Sequence, residues 1–188
     1  EPHWLYIATF ANGASKVGTP ANLRKWKRLA EQGADAARYV ARADDGRVVR
    51  NLEDLVTRDA GIPQQIRSAA KAAALTGPAP ADELDDRNRR LAAEVRGLLA
   101  GAGGGGFDVV DEHWLRPGLA DAVCAPAARH PYPHELSTGA HGFRIDSLSG
   151  SIALARLDGA DLEFVVNLGQ LKARTIELGD HGTDVPAV

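Results

Sequence analysis

The chain is 188 residues long, 44% hydrophobic and 25% charged, with a formal net charge of −3 and a single cysteine, Cys124. Such a chain fits one compact domain or two small ones. Its slightly acidic balance excludes a globally basic nucleic-acid binder, so affinity for a phosphate backbone needs a local patch. One thiol excludes an intrachain disulfide framework and fits a reducing cytoplasm, and no apolar run reaches the length of a membrane span.

The first organised stretch runs from Trp4 to Gly18. Two short β-forming runs, Leu5-Tyr6-Ile7-Ala8 and Lys16-Val17-Gly18, flank Ala11-Asn12-Gly13-Ala14. Asn-Gly between such runs predicts a hairpin, because a type I′ turn needs φ > 0 at both central positions. The hairpin brings Tyr6 near Lys16, and Gly18 lets the chain leave sharply. Thr19-Pro20 reads as a cap and first helical turn. The helix that follows carries Arg24, Lys25, Lys27 and Arg28, turns Leu23, Trp26, Leu29 and Ala30 to an apolar face, and stops at Gly33. A third strand is predicted over 36–42, a turn at Asp44-Asp45-Gly46, and a helix from Arg47 to Arg58 with Val48, Val49, Leu52, Leu55 and Val56 at helical spacing. An Ala-rich helix from Gln64 to Leu75 packs on the sheet.

Thr76 to Pro80 reads as a linker and Asp82 to Leu99 as the longest helix, ended by the Gly-rich tract 101–106. Phe107 to Val110 reads as a strand leading into Asp111-Glu112-His113-Trp114-Leu115-Arg116, the densest mixture of acid, base, aromatic and cation in the chain. Residues 117–137 are irregular. The last third alternates like β-structure, with strands at 143–148, 151–157, 162–167 and 173–178 and a turn at Asp158-Gly159-Ala160.

The Tyr6 strand, the Lys16-Val17-Gly18 step and the basic helix together resemble the GIY-YIG superfamily. Its nuclease members place a Tyr on one strand, a second Tyr before a Gly on the next, an Arg on the following helix and a metal-binding Glu further on. Here Lys16 stands in place of the second Tyr. The chain is most similar to an uncharacterised bacterial branch that carries a Lys-Val-Gly and an Arg shortly before a Gln-Gly-Ala, as in Arg28 to Ala34 here. The resemblance implies that Tyr6 orients or activates water and that Arg28 or Arg24 holds a phosphate. It puts Val49 at the position of the metal-binding Glu; Glu53 lies one helical turn on, ~5–6 Å along the axis. The look-alikes usually have an additional N-terminal segment with metal-ligand cysteines that is absent from this stretch; two readings stand side by side, that it has been left off here or that a small partner protein supplies it.

Lys16, Arg24 and Arg28 are expected to cluster, since guanidinium forks match phosphate, sulfate and carboxylate. Surface pairing with Glu31 and Asp35 is the alternative. Strand alternation puts Asp111, His113 and Leu115 on one face and Glu112, Trp114 and Arg116 on the other. An acid beside a His makes a proton acceptor, and Trp114 with Arg116 walls an anion pocket; a salt-bridged edge strand is the alternative. Cys124, His130, His134 and His141 raise zinc, but their spacing in a Pro-rich loop reads better as a polar loop with a buried Cys.

The expected fold class is therefore α/β (α+β): a GIY-YIG-like small sheet with flanking helices over 1–75, a linker and long helix over 76–106, and a mostly β segment over 107–188 packed on the first. The leading functional expectation is a metal-independent enzyme subunit, without cofactor, that binds a small phosphate- or sulfate-bearing molecule and promotes displacement or elimination of that group, with intramolecular ring closure as one form of the reaction. Lys16, Arg24, Arg28, Trp114 and Arg116 would bind the anion, and Tyr6, Asp111, Glu112 and His113 would handle protons. The alternatives are a metal-dependent nuclease or nucleic-acid binder using Glu53, and a non-catalytic interaction module.

Overall fold

The computed structural model of the chain describes residues 1–158 and 161–183. It is an α+β fold, with five α-helices and two four-stranded sheets among the described residues. Of the expected turn Asp158-Gly159-Ala160, the last two residues lie outside the described ones.

The first sheet has the order β2-β1-β3-β4 and is antiparallel throughout. Its strands are β1 (His3–Thr9), β2 (Ser15–Gly18), β3 (Ala36–Ala43) and β4 (Phe107–Trp114). β1 is apolar on both faces because both are covered. Leu5, Ile7 and Val17 pack on one side with Val49, Leu52 and Val56 of α2 (Gly46–Ala60) and Ala92, Val95 and Leu99 of α4 (Ala81–Gly101). Tyr6, Ala8 and Phe10 pack on the other with Leu29 of α1 (Lys25–Gln32) and with Trp114. No helix among the described residues is long and apolar enough to cross a membrane.

The β1–β2 loop differs from the expected type I′ turn. Gly13 donates to Phe10 O at 2.7 Å and Phe10 donates to Ala14 O at 2.9 Å. Gly13 alone of the Asn-Gly pair has positive φ, at 80°. Asn12 instead accepts the Ala14 amide through its side chain, an Asx-type contact that fixes the turn without left-handed strain. The next helix begins later than its Thr-Pro signal, with a 3₁₀ turn over Asn22–Arg24 before α1. Within it Leu29 is buried, whereas Leu23 is 90% exposed and Trp26 half exposed. α2 is capped by Asp45, whose carboxylate accepts from Arg47 and Val48 amides at 2.8 and 2.9 Å.

The second sheet has the order β5-β8-β7-β6, from β5 (His130–Pro131), β6 (Arg144–Ser149), β7 (Ile152–Arg156) and β8 (Glu163–Asn167). Ile152, Leu154 and Val165 pack against Ala74 of α3 (Ser68–Ala74) and against Val123 and Cys124 of α5 (Asp121–Cys124). The strand expected at 173–178 does not form. Ile176 and Leu178 are exposed, and alternation without a neighbouring strand leaves no ladder to join. The domain limits also differ. β4 pairs with β3 and α4 packs on β1 and β3, so 76–114 completes the first sheet rather than bridging or founding a second unit.

The two sheets meet at the end of α1. Gly33 ends the helix in the left-handed region at φ 67°, and the β6–β7 turn presents Gly150 at φ 60° against it. A Cβ on Gly150 would lie 2.8 Å from Gly33 N and 2.9 Å from Glu31 O. Gly150→Ala is expected to cost about 2–4 kcal/mol, from left-handed strain plus the clash. The readout is a lowered thermal midpoint, and an unchanged midpoint would show that the joint tolerates separation.

Candidate functional site

Tyr6 stands at the centre of the face of the first sheet covered by α1. Its cross-strand partner is Gly18, and the reason for glycine there is the ring: a Cβ on Gly18 would lie 2.3 Å from the Tyr6 hydroxyl oxygen. The glycine thus makes room for Tyr6, a different task from the sharp exit expected of it. The Tyr6 hydroxyl donates to Gln32 Oε1 at 3.1 Å. Burial pushes the phenol up to about 12, with Arg28 acting in the opposite direction and Glu53 adding to the rise. Tyr6 is therefore a hydrogen-bond donor at neutral pH and no base, so the water-activating role expected of it reduces to orientation.

Two cations, Lys16 and Arg28, act on this tyrosine, and a third, Lys71, reaches its hydrogen-bond partner Gln32. Lys16, two residues before Gly18, is 8% exposed, with Nζ 5.8 Å from the Tyr6 ring centroid. Burial lowers its ammonium, and the Arg28 guanidinium lowers it further; Glu53 opposes both. Arg28 is exposed on α1. Lys71 reaches in from α3, donating to Gln32 O at 2.7 Å and lying 4.1 Å from the Phe10 ring centroid. Its ammonium is pulled down to about 8 by burial, then by Lys16 and Arg28. Lys71 was missed from sequence, where Ser-Ala-Ala-Lys-Ala-Ala-Ala reads as a helix packing on the sheet. The signal that marks it is the single charged residue in an otherwise small, apolar run.

Glu53 is neither solvated nor remote. It is 4% exposed, accepts from Arg50 at 2.5 Å, and its charge reaches both Tyr6 and Lys16. Val49, at the position the resemblance gives to a metal ligand, is core at 1% exposure.

The remaining expected site residues lie apart from Tyr6. Arg24 pairs with Glu31 at 2.6 Å. The alternation expected along β4 holds: Asp111 and His113 face α4, while Glu112 and Trp114 face α1. Asp111 pairs with Arg96 at 2.9 Å, and His113 lies 3.4 Å from Asp85. Asp85 is held below the usual carboxylate range chiefly by its hydrogen bond from Arg38. Asp111 and His113 are thus on the opposite face of the sheet from Tyr6. Glu112 shares the Tyr6 face but is bound to Lys25 at 2.5 Å. Trp114 is 2% exposed, with its indole donating to Trp26 O at 3.2 Å, so it is core and walls no pocket. Arg116 is held between Asp35 and Asp121 at 3.2 and 3.3 Å. Asp111 and Glu112 therefore sit in separate ion pairs and His113 lies beside Asp85, rather than the three forming one proton-transfer cluster.

The residues that raised zinc also separate. Cys124 is buried, which together with the neighbouring Asp35 pushes its thiol up to about 12. His130 packs by Phe164, whereas His134 and His141 flank Tyr132. Among the described residues, no three His, Cys, Asp or Glu side chains gather as a set able to hold a metal ion.

The chain matches no protein-family model, no curated protein and no solved structure.

Gly18→Ala is expected to destabilise by about 1–3 kcal/mol, and most of that cost should vanish in a Tyr6→Ala background. A double-mutant cycle of denaturant unfolding measures the coupling; additive costs would mean that the ring is not what the glycine accommodates.

Proposed function

We propose that the chain is a GIY-YIG-like scaffold acting as an oxyanion-handling enzyme subunit. Its substrate is a small phosphate- or sulfate-bearing molecule, and its reaction is displacement or elimination of that group in the cytoplasm. The observation that carries this reading is the gathering of Lys16, Arg28 and Lys71 about Tyr6 and its hydrogen-bond partner Gln32, where the opposing carboxylate, Glu53, is already engaged by Arg50. Like charges held together in a half-buried place are costly unless an anion joins them. A leaving phosphate or sulfate gains negative charge as its bond breaks. Cations and a neutral phenol O–H fixed around it lower the energy of that developing charge.

Within this reading Arg28 supplies a planar fork, Lys16 and Lys71 supply point charges, and Tyr6 donates a hydrogen bond. Gln32 positions both Tyr6 and Lys71, through its side chain and its backbone oxygen respectively. The β4 residues Asp111, Glu112 and His113 have no part in it: Asp111 and His113 lie on the other face of the sheet, and Glu112 is bound to Lys25.

Titration of inorganic phosphate and sulfate tests the reading. Lys71→Met and Lys16→Met are each expected to weaken binding about tenfold, the worth of one charge-assisted hydrogen bond, ~1.5 kcal/mol. Unchanged affinity in both variants would overturn the reading. The pH dependence has a definite sign. Lys71 is cationic below its lowered value of about 8, and a bound anion favours the cation. Affinity is therefore level below that pH and falls as pH rises through and above it. Lys71→Arg, which stays charged, should flatten the fall.

A second reading rests on Glu53, whose charge reaches Tyr6 and Lys16 from a buried position. One carboxylate with phosphate oxygens and water can hold Mg²⁺, in which case the chain cuts phosphodiesters. Plasmid cleavage with Mg²⁺ or Mn²⁺ that is lost in Glu53→Gln would favour this reading; no cleavage would remove it.

A further inference from the structure

A groove of about 370 Å³ lies between the start of α1 and the start of α2. Arg24, Arg28 and Arg50 line it, with the His3 imidazole and the Gly46 backbone at its wall, and no carboxylate is among its lining residues. The His3 ring lies against Gly46, whose missing side chain leaves the first turn of α2 open; a Cβ there would be 3.4 Å from His3 Nε2. Arg24 is tied to Glu31 and Arg50 to Glu53, each pair engaging one guanidinium nitrogen of a fork with five N–H donors. Arg28 belongs both to this groove and to the Tyr6 cluster.

We propose that the substrate carries two separate anionic groups: its phosphate or sulfate ester sits at Lys16, Arg28 and Lys71, and a second group, carboxylate or phosphate, sits in the groove between Arg24 and Arg50. This rests on the reading of the Tyr6 cluster as an oxyanion site and names the class of molecule that site takes. A cationic cluster and a cationic groove that share one arginine discriminate by span. A molecule with one anionic group satisfies one of them, whereas a two-group molecule of the right length satisfies both, and its second binding event is intramolecular. Guanidinium groups, rather than ammonium groups, line the groove, which suits the planar or forked geometry of a carboxylate or phosphate.

The test is calorimetric titration with inorganic phosphate, with phospho-carboxylates bearing one to four methylenes between the groups, and with the matching bisphosphates. At least one chain length is expected to bind tenfold or more tighter than inorganic phosphate. Arg24→Gln and Arg50→Lys should each remove most of that gain while leaving inorganic phosphate affinity within twofold. Arg50→Lys keeps a cation beside buried Glu53, and Arg24 is exposed, so neither variant endangers the fold. The two series separate a carboxylate from a phosphate as the second group. If every two-anion probe binds no tighter than inorganic phosphate, or if the variants weaken all probes equally, the proposal is overturned while the oxyanion reading stands. Failure of that reading appears separately, as inorganic phosphate affinity that Lys16→Met and Lys71→Met leave untouched.

Discussion

The end of α1 at Gln32 and Gly33 is the constraint on which the rest of the molecule depends. The Gln32 side chain accepts the Tyr6 hydroxyl and its backbone oxygen accepts Lys71, so one residue orients a strand and a helix at once. Gly33, in the left-handed region, opens the space into which the Ser149-Gly150 turn of the second sheet fits. The last carbonyls of a helix carry partial negative charge. That charge gives the Lys71 ammonium a place to stand inside an otherwise positive neighbourhood. Fold and candidate site share this one corner, and whatever moves it disturbs both.

Two groups of charged residues contrast with one another. Along β4 and just past its end the expected charged site residues meet opposite charges, from Asp111 with Arg96 to Arg116 with Asp35. The exposed pairs among them hold structure together weakly, and matched pairs leave little charge over for a ligand. Around Tyr6 the balance is unmatched, and burial already lowers the ammonium groups of Lys16 and Lys71. A protein that keeps three cations together at the expense of its own stability is most simply understood if an anion visits them.

The hairpin, the long helices and the β-rich C-terminal third were legible because period and turn residues act locally. Leu5 and Ile7 against Tyr6 and Ala8, or Val49, Leu52 and Val56 along one helical face, declare themselves in a short window. The site was legible only in part. Tyr6, Lys16 and Arg28 follow from the hairpin and the helix after it. Lys71 was not visible, because its contact with Gln32 spans 39 positions and nothing local tells where a lone lysine in an alanine run will end. Glu53 was judged by its distance along one helix, whereas its burial beside Lys16 comes from how α2 crosses the sheet edge at β2. The acid–His stretch after the Gly-rich tract looked reactive because residue types show in sequence, while the partners that neutralise them do not. The alternation at 173–178 carried strand character but had no neighbour to pair with.

The most direct measurement is a crystal structure grown in selenate, whose anomalous signal marks an oxyanion without ambiguity. The oxyanion reading requires a selenate within hydrogen-bonding distance of Lys16, Arg28 and Lys71, beside the Tyr6 hydroxyl. Selenate bound only on other surfaces, with these three side chains turned to solvent, would contradict it.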